Sequence, residues 1–220
     1  MHWRRLIEGS RLYREKEPLD QLYFSFEELP DCTDEAVARR LIDFINSWST
    51  RTPMTPIQLR NACTSQSALL NALSERTIET LDLDSELHNG YSVCAAITEV
   101  FDAIANCGPR RESTGASKIL HALLPQLFVM WDLGIAGGYG LGGSQPRRDG
   151  HDYAFTFLRR VMNEMEEAIA TYADEFDCER RDAIRGLVAR GGDRTLAKLL
   201  DEYNFAKYTL SVDELWVKAS

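Results

Sequence analysis

Ser113-Thr-Gly-Ala-Ser-Lys-Ile-Leu-His-Ala-Leu-Leu-Pro-Gln-Leu-Phe-Val-Met-Trp-Asp132 is the stretch on which the fold and the chemistry both turn. Its first half reads as a short helix from about Thr114 to Leu124, stopped by Pro125, which has no N–H to continue it. Its second half is an apolar connector that plugs into a core and ends on a carboxylate, Asp132. Lys118 lies early on that helix, beside Ile119, Leu120, Ala122 and Leu123, all suited to a core. It is also the one lysine between Glu17 and Ala197, in a chain with 20 Arg and 5 Lys. Such a chain would be expected to place Arg wherever only a cation is needed. Lysine differs because its amine, once desolvated, can lose its proton and attack.

Outward from this stretch the period is helical throughout. Thr33-Asp-Glu-Ala-Val opens a helix with an N-cap and an acidic first turn, running to about Trp48, with Val37, Leu41, Phe44 and Ile45 on one stripe. Thr55-Pro-Ile-Gln starts a second helical region that reaches about Leu81 and breaks near Cys63 to Ser67. Ser85 to Cys107 reads as another helix, with Val93, Ala96, Ile97, Val100 and Ile104 at core spacing, ended by Gly108-Pro109. A long helix is expected from about Gly150 to Phe176, then two more near Glu179–Arg190 and Asp193–Phe205, with Asp193 as an N-cap. Residues 1–30 read as an irregular extension, and residues 84–160 as the motif-bearing core. The expectation is an all-α protein, one helical domain or two small lobes.

Composition narrows the function classes. The chain has 220 residues, 44% hydrophobic and 27% charged, with a net charge of −9. No apolar run approaches the roughly 20 residues of a membrane span. Met1-His-Trp-Arg-Arg lacks the apolar core of a signal peptide, so a cytosolic location is expected. The five cysteines are scattered without a CxxC or a nearby His, which points to buried free thiols at Cys63 and Cys94 rather than disulfides or zinc. The acidity argues mildly against nucleic acid. Yet Gly108 to Arg160 carries a local balance of +3, leaving room there for a polyanion.

Lys118 and Asp132 make a working pair in principle: an amine that attacks, and a fixed carboxylate that stabilises developing positive charge and helps move protons. The bland alternative is a lysine that snorkels to solvent and an aspartate that caps the next helix. A small-residue turn, a lysine opening a helix, an apolar connector and then an aspartate resemble the helix-hairpin-helix DNA glycosylase superfamily. The closest likeness is to its lysine-bearing 8-oxoguanine glycosylases. The resemblance implies a helical bundle of that type, with Gly115-Ala-Ser117 as the hairpin turn gripping DNA phosphate. It makes Lys118 the Schiff-base nucleophile and Asp132 its assistant, with no cofactor and no metal.

A flipped base would need walls. Trp131, Tyr139, Tyr153 and Phe157 are the candidates, although aromatics one turn apart are commonly core. His121, three residues past Lys118, either tunes the amine or serves the core. Gly137-Gly-Tyr-Gly-Leu-Gly-Gly143 and the following Arg147 and Arg148 suit a phosphate backbone or a surface loop. That loop lacks the Gly-Lys-Ser/Thr ending of a P-loop, and no strand precedes it. The rival to the enzyme is a non-catalytic helical binding or regulatory protein that keeps the fold.

Overall fold

A computed structural model describes residues 1–16, 26, 28–31, 33–47, 52–87, 90–141 and 150–211. The described residues are all-α, built from ten α-helices and short 3-10 and π-helical turns. Their buried apolar side chains form a continuous cluster that runs from Trp3 to Tyr203.

The N-terminal residues correct the expectation of an irregular extension: Trp3–Lys16 is a helix, α1. Its buried stripe is Trp3, Leu6, Ser10 and Tyr13, with Gly9 beside it. Two of these five, Gly9 and Ser10, are small or polar, so the helical period carries little hydrophobic contrast. They are there because the partner helix comes very close. A Cβ on Gly9 would sit 2.7 Å from Cδ2 of Tyr203.

Helices α2 (Glu35–Asn46), α3 (Pro56–Ser65) and α4 (Ser67–Ser74) follow. Asp34 caps α2 by accepting from the Ala36 N–H. Thr55 and Gln58 form a capping box at α3, with Pro56 in the first turn where its missing N–H costs nothing. The expected break falls at Gln66. On α2, Leu41, Phe44 and Ile45 are buried and Val37 is half-buried.

Helix α5 (Val93–Ala105) is shorter than its periodicity suggests. Ser92 is the N-cap, and it pairs with Glu86 in an isolated antiparallel bridge. Leu83 and Leu87 bury apolar surface without continuing a helix. The Glu112 N–H then donates to Ala105 O at 2.8 Å, closing the loop 106–112 so that α6 (Ser113–Leu123) packs back along α5.

The apolar connector lies beneath α6 and leads to α7 (Leu133–Gly138). The expected long helix is continuous from 150 to 176, but Asp152–Leu158 is π-helical before α8 (Arg159–Phe176). Helices α9 (Arg180–Arg190) and α10 (Leu196–Asn204) complete the body, with Thr195 rather than Asp193 capping α10. Asp193 instead takes a left-handed conformation, φ 58°. Helix α10 packs along α1 and passes into a π-helical turn, Phe205–Thr209, which returns to α7.

Candidate functional site

Helix α6 has a buried side and one open edge. Ile119, Leu120 and Ala122 are fully buried, while Lys118 is half-buried on the edge it shares with Thr114 and Gly115. That edge forms one wall of a cleft of about 370 Å³. Asp132, Leu133 and Gly134 at the start of α7 line it too, and Thr209, Ile45, Thr52 and Glu112 complete the lining. Lys118 and Asp132 therefore share one cleft, although 14 residues separate them in sequence.

Local bonding explains why the connector delivers Asp132 there. The buried Ser117 hydroxyl accepts the Trp131 N–H at 3.1 Å and lies 2.9 Å from Thr114 O, to which it donates. One turn further on, His121 Nδ1–H donates to Phe128 O at 2.5 Å. The Tyr153 hydroxyl bridges Val129, accepting its N–H and donating to its carbonyl. These bonds satisfy backbone groups that an extended segment in the core would otherwise leave unpaired.

Asp132 is the N-cap of α7. Its Oδ1 accepts from the Ile135 N–H at 2.8 Å, and its Oδ2 accepts from the Thr209 hydroxyl at 2.7 Å. The carboxylate is held from two sides, one local and one from the far end of the chain.

Several expected roles are corrected. Gly115, Ala116 and Ser117 do not form a hairpin turn: they are the third to fifth residues of α6, and the Ala116 N–H is used within the helix by Glu112 O. A Cβ on Gly115 would meet only ordinary contacts, the nearest at 3.7 Å, so nothing at this position requires glycine. Ser117 is buried and fastens the connector rather than touching the cleft.

The aromatic candidates are core, not an open platform. Tyr153 and Phe157 are fully buried, Trp131 and Tyr139 nearly so, and all four pack on one another. The Tyr139 hydroxyl bonds Glu164 and Asn204, and its pKa is pushed up by burial first and by Glu164 second. His121 is also interior. Burial lowers its pKa to about 4, so the ring is neutral and positions Phe128. Arg147 and Arg148 lie outside the described residues.

The electrostatics of the cleft are not those of a polyanion groove. Its lining carries one lysine against two carboxylates, Asp132 and Glu112. Arg110 pairs with Glu112 at 2.8 Å, and Arg111 is engaged by Asp102 and Asn106. Among the described residues no group of His, Cys, Asp and Glu is arranged to hold a metal ion, and no helix is long and apolar enough to cross a membrane.

Sequence reasoning did not single out Glu112, Thr209 or Asp201. Thr209 reaches Asp132 across 77 positions, and Asp201 lines a second, smaller space that Lys118 also borders. Neither has a local signal, because each is brought in by the packing of α10 and the turn after it. Comparisons of the chain with protein-family models, curated proteins and solved structures found no match.

Proposed function

We propose that this protein performs lysine-dependent chemistry at a sugar carbon, as a DNA glycosylase/lyase of the helix-hairpin-helix type that removes a damaged or modified base. The observation that carries this reading is the shared cleft: Lys118 and Asp132 line one solvent-open space of about 370 Å³, with Asp132 held by two hydrogen bonds. The pairing of α5 and α6 through the loop 106–112, with Lys118 on the second helix, supports the resemblance in outline.

In this reading the neutral Lys118 amine uses its lone pair to form a bond to sugar C1′. The bond from C1′ to the base breaks, and its electron pair leaves with the base, which takes up a proton. The C1′–O4′ bond then breaks as the nitrogen lone pair forms the C=N bond, and O4′ takes up a proton to become a hydroxyl, which leaves the positive charge on nitrogen as an iminium. Asp132, held in the same cleft, stabilises that cation. Loss of a C2′ proton would next expel the 3′ phosphate by β-elimination.

Borohydride trapping on duplexes carrying damaged bases or abasic sites tests this directly. The expected result is a covalent adduct that Lys118→Ala abolishes. No adduct with any duplex, together with no salt-sensitive DNA binding, would sink the proposal.

A second reading has its own observation. Both Asp132 oxygens already serve structural bonds, and acid outnumbers base in the lining. A non-catalytic helical binding protein is consistent with this, and the same trapping experiment separates the two.

A further inference from the structure

Lys118 borders two spaces. One is the open cleft. The other is a smaller space of about 20 Å³, lined by Tyr13 of α1, Lys118, Met130, Trp131, Asp132, Ile135, Asp201 of α10 and Phe205. A space of that size takes about one water. Its walls are polar as well as aromatic. Trp131 is 1% exposed, and its indole N–H has no hydrogen-bond partner. A buried donor of that kind calls for a polar neighbour in the space it borders.

Asp201 is the ionisable group that α10 contributes to this cavity. It is 3% exposed and lies 2.9 Å from Lys198 Nζ, which is itself buried. Lys198 stacks over the Tyr13 ring and also faces Glu202, 3.9 Å away, while Glu202 in turn meets Ser10 and Arg194. Lys198 does not border the cavity, so Asp201 is the member of this buried pair that stands towards Lys118.

We propose that Asp201 is a positioning residue for Lys118, a second carboxylate acting from the buried side to hold its nitrogen and stabilise the cation it carries. The proposal rests on Lys118 being the reacting amine. Imine formation ends with positive charge on that nitrogen, and both carboxylates line the smaller space that Lys118 borders, Asp132 lining the cleft as well. Among the described residues, the titratable groups lining the two spaces that Lys118 borders are Asp132 at the start of α7, Glu112 ahead of α6, Asp201 on α10 and Tyr13 on α1. Three of these are acids that favour the cation, and Asp201 is the one shielded from solvent screening.

The test is a titration that needs no substrate. Lysines are reductively methylated with ¹³C-formaldehyde, which keeps the amine titratable, and the Lys118 resonance is assigned by its loss in Lys118→Arg. The midpoint is then read in the wild type and in Asp201→Asn. A fall of about one pH unit, a tenfold change in the protonation equilibrium, is expected on removing a close carboxylate. Asp201→Asn leaves Lys198 buried without its partner, so Asp201→Asn combined with Lys198→Met provides the variant in which both charges are gone. An unchanged midpoint in the folded variants overturns the proposal. Failure of the duplexes to trap would instead count against the glycosylase reading, and the titration remains readable either way.

Discussion

The Ser117 hydroxyl, 14 residues ahead of Trp131, accepts the Trp131 backbone N–H at 3.1 Å. The helix that carries Lys118 is thereby fastened to the residue next to Asp132. The distance across the candidate site is set by this buried bond rather than by the exposed side chains themselves. A core contact, not a surface one, holds the two groups on one cleft.

Ser117→Ala should therefore cost stability and precision together. It removes an acceptor and leaves the Trp131 N–H buried and unpaired, at a cost of about 1–3 kcal/mol. Chemical denaturation of the variant reads the first effect. Trapping yield, measured well below its melting temperature, reads the second, and the expected outcome is a reduction in both.

Two glycines should respond in opposite directions. Gly115→Ala places a methyl where the nearest neighbour is 3.7 Å away, inside a helix, and should stabilise by up to about 1 kcal/mol. Gly138→Ala would drive its methyl into the Tyr208 ring, which packs on Tyr139, and should cost about 1–3 kcal/mol. Thermal melts of the two variants check this. A destabilising Gly115→Ala would mean that the residue serves a turn after all.

Asp132 can be separated from its anchor. Thr209→Val keeps the size of an exposed side chain and removes the hydroxyl that holds Oδ2. Stability should change by less than about 0.5 kcal/mol, as for surface positions generally. Asp132→Asn keeps a capping oxygen for the Ile135 N–H but removes the charge. In the trapping assay Asp132→Asn should lose far more adduct than Thr209→Val. Equal losses would point to geometry alone as the contribution of Asp132.

Glu202 predicts a pH effect of definite sign. Burial raises its pKa to about 7, against the opposing pull of Lys198, Ser10 and Arg194. Folded protein thus binds more protons than unfolded protein between the ordinary glutamate value of 4.5 and about 7. The contribution is fully present below the lower value and is lost as pH rises through the upper one, on the order of 3 kcal/mol. His121 acts oppositely: its pKa is depressed to about 4, so its contribution is present above 6.5 and is lost as pH falls towards 4. The comparison to make is wild type against Glu202→Gln from pH 4.5 to 7.5. Their melting temperatures should diverge with rising pH, the wild type falling relative to the variant.

The helical class and most of the helices were legible because amphipathic periodicity and local caps leave a strong trace. Thr55 with Gln58, Pro56 and Asp34 mark helix starts by bonds within a few residues. The misread elements are those whose reasons are tertiary. Helix α1 hides its seam in Gly9 and Ser10 because Tyr203 and Glu202 lie against them. Leu83 and Leu87 are buried at helical spacing without being helical. The aromatic candidates matched a base pocket and a core equally well in composition, and only their mutual packing decided for the core.

By itself the sequence determined an all-α chain, placed Lys118 at the edge of an apolar helix and ended an apolar connector on a capping aspartate. Each of these follows from interactions within about ten residues: period, cap and proline stop. Only the tertiary structure decided that Lys118 and Asp132 open onto one cleft, that Thr209 holds Asp132, and that Asp201 lines a second space with Lys118. Those relationships depend on where α10 and the turn after it come to rest. That position is set by burial summed over α1, α8 and α10, and no local run of residues encodes it.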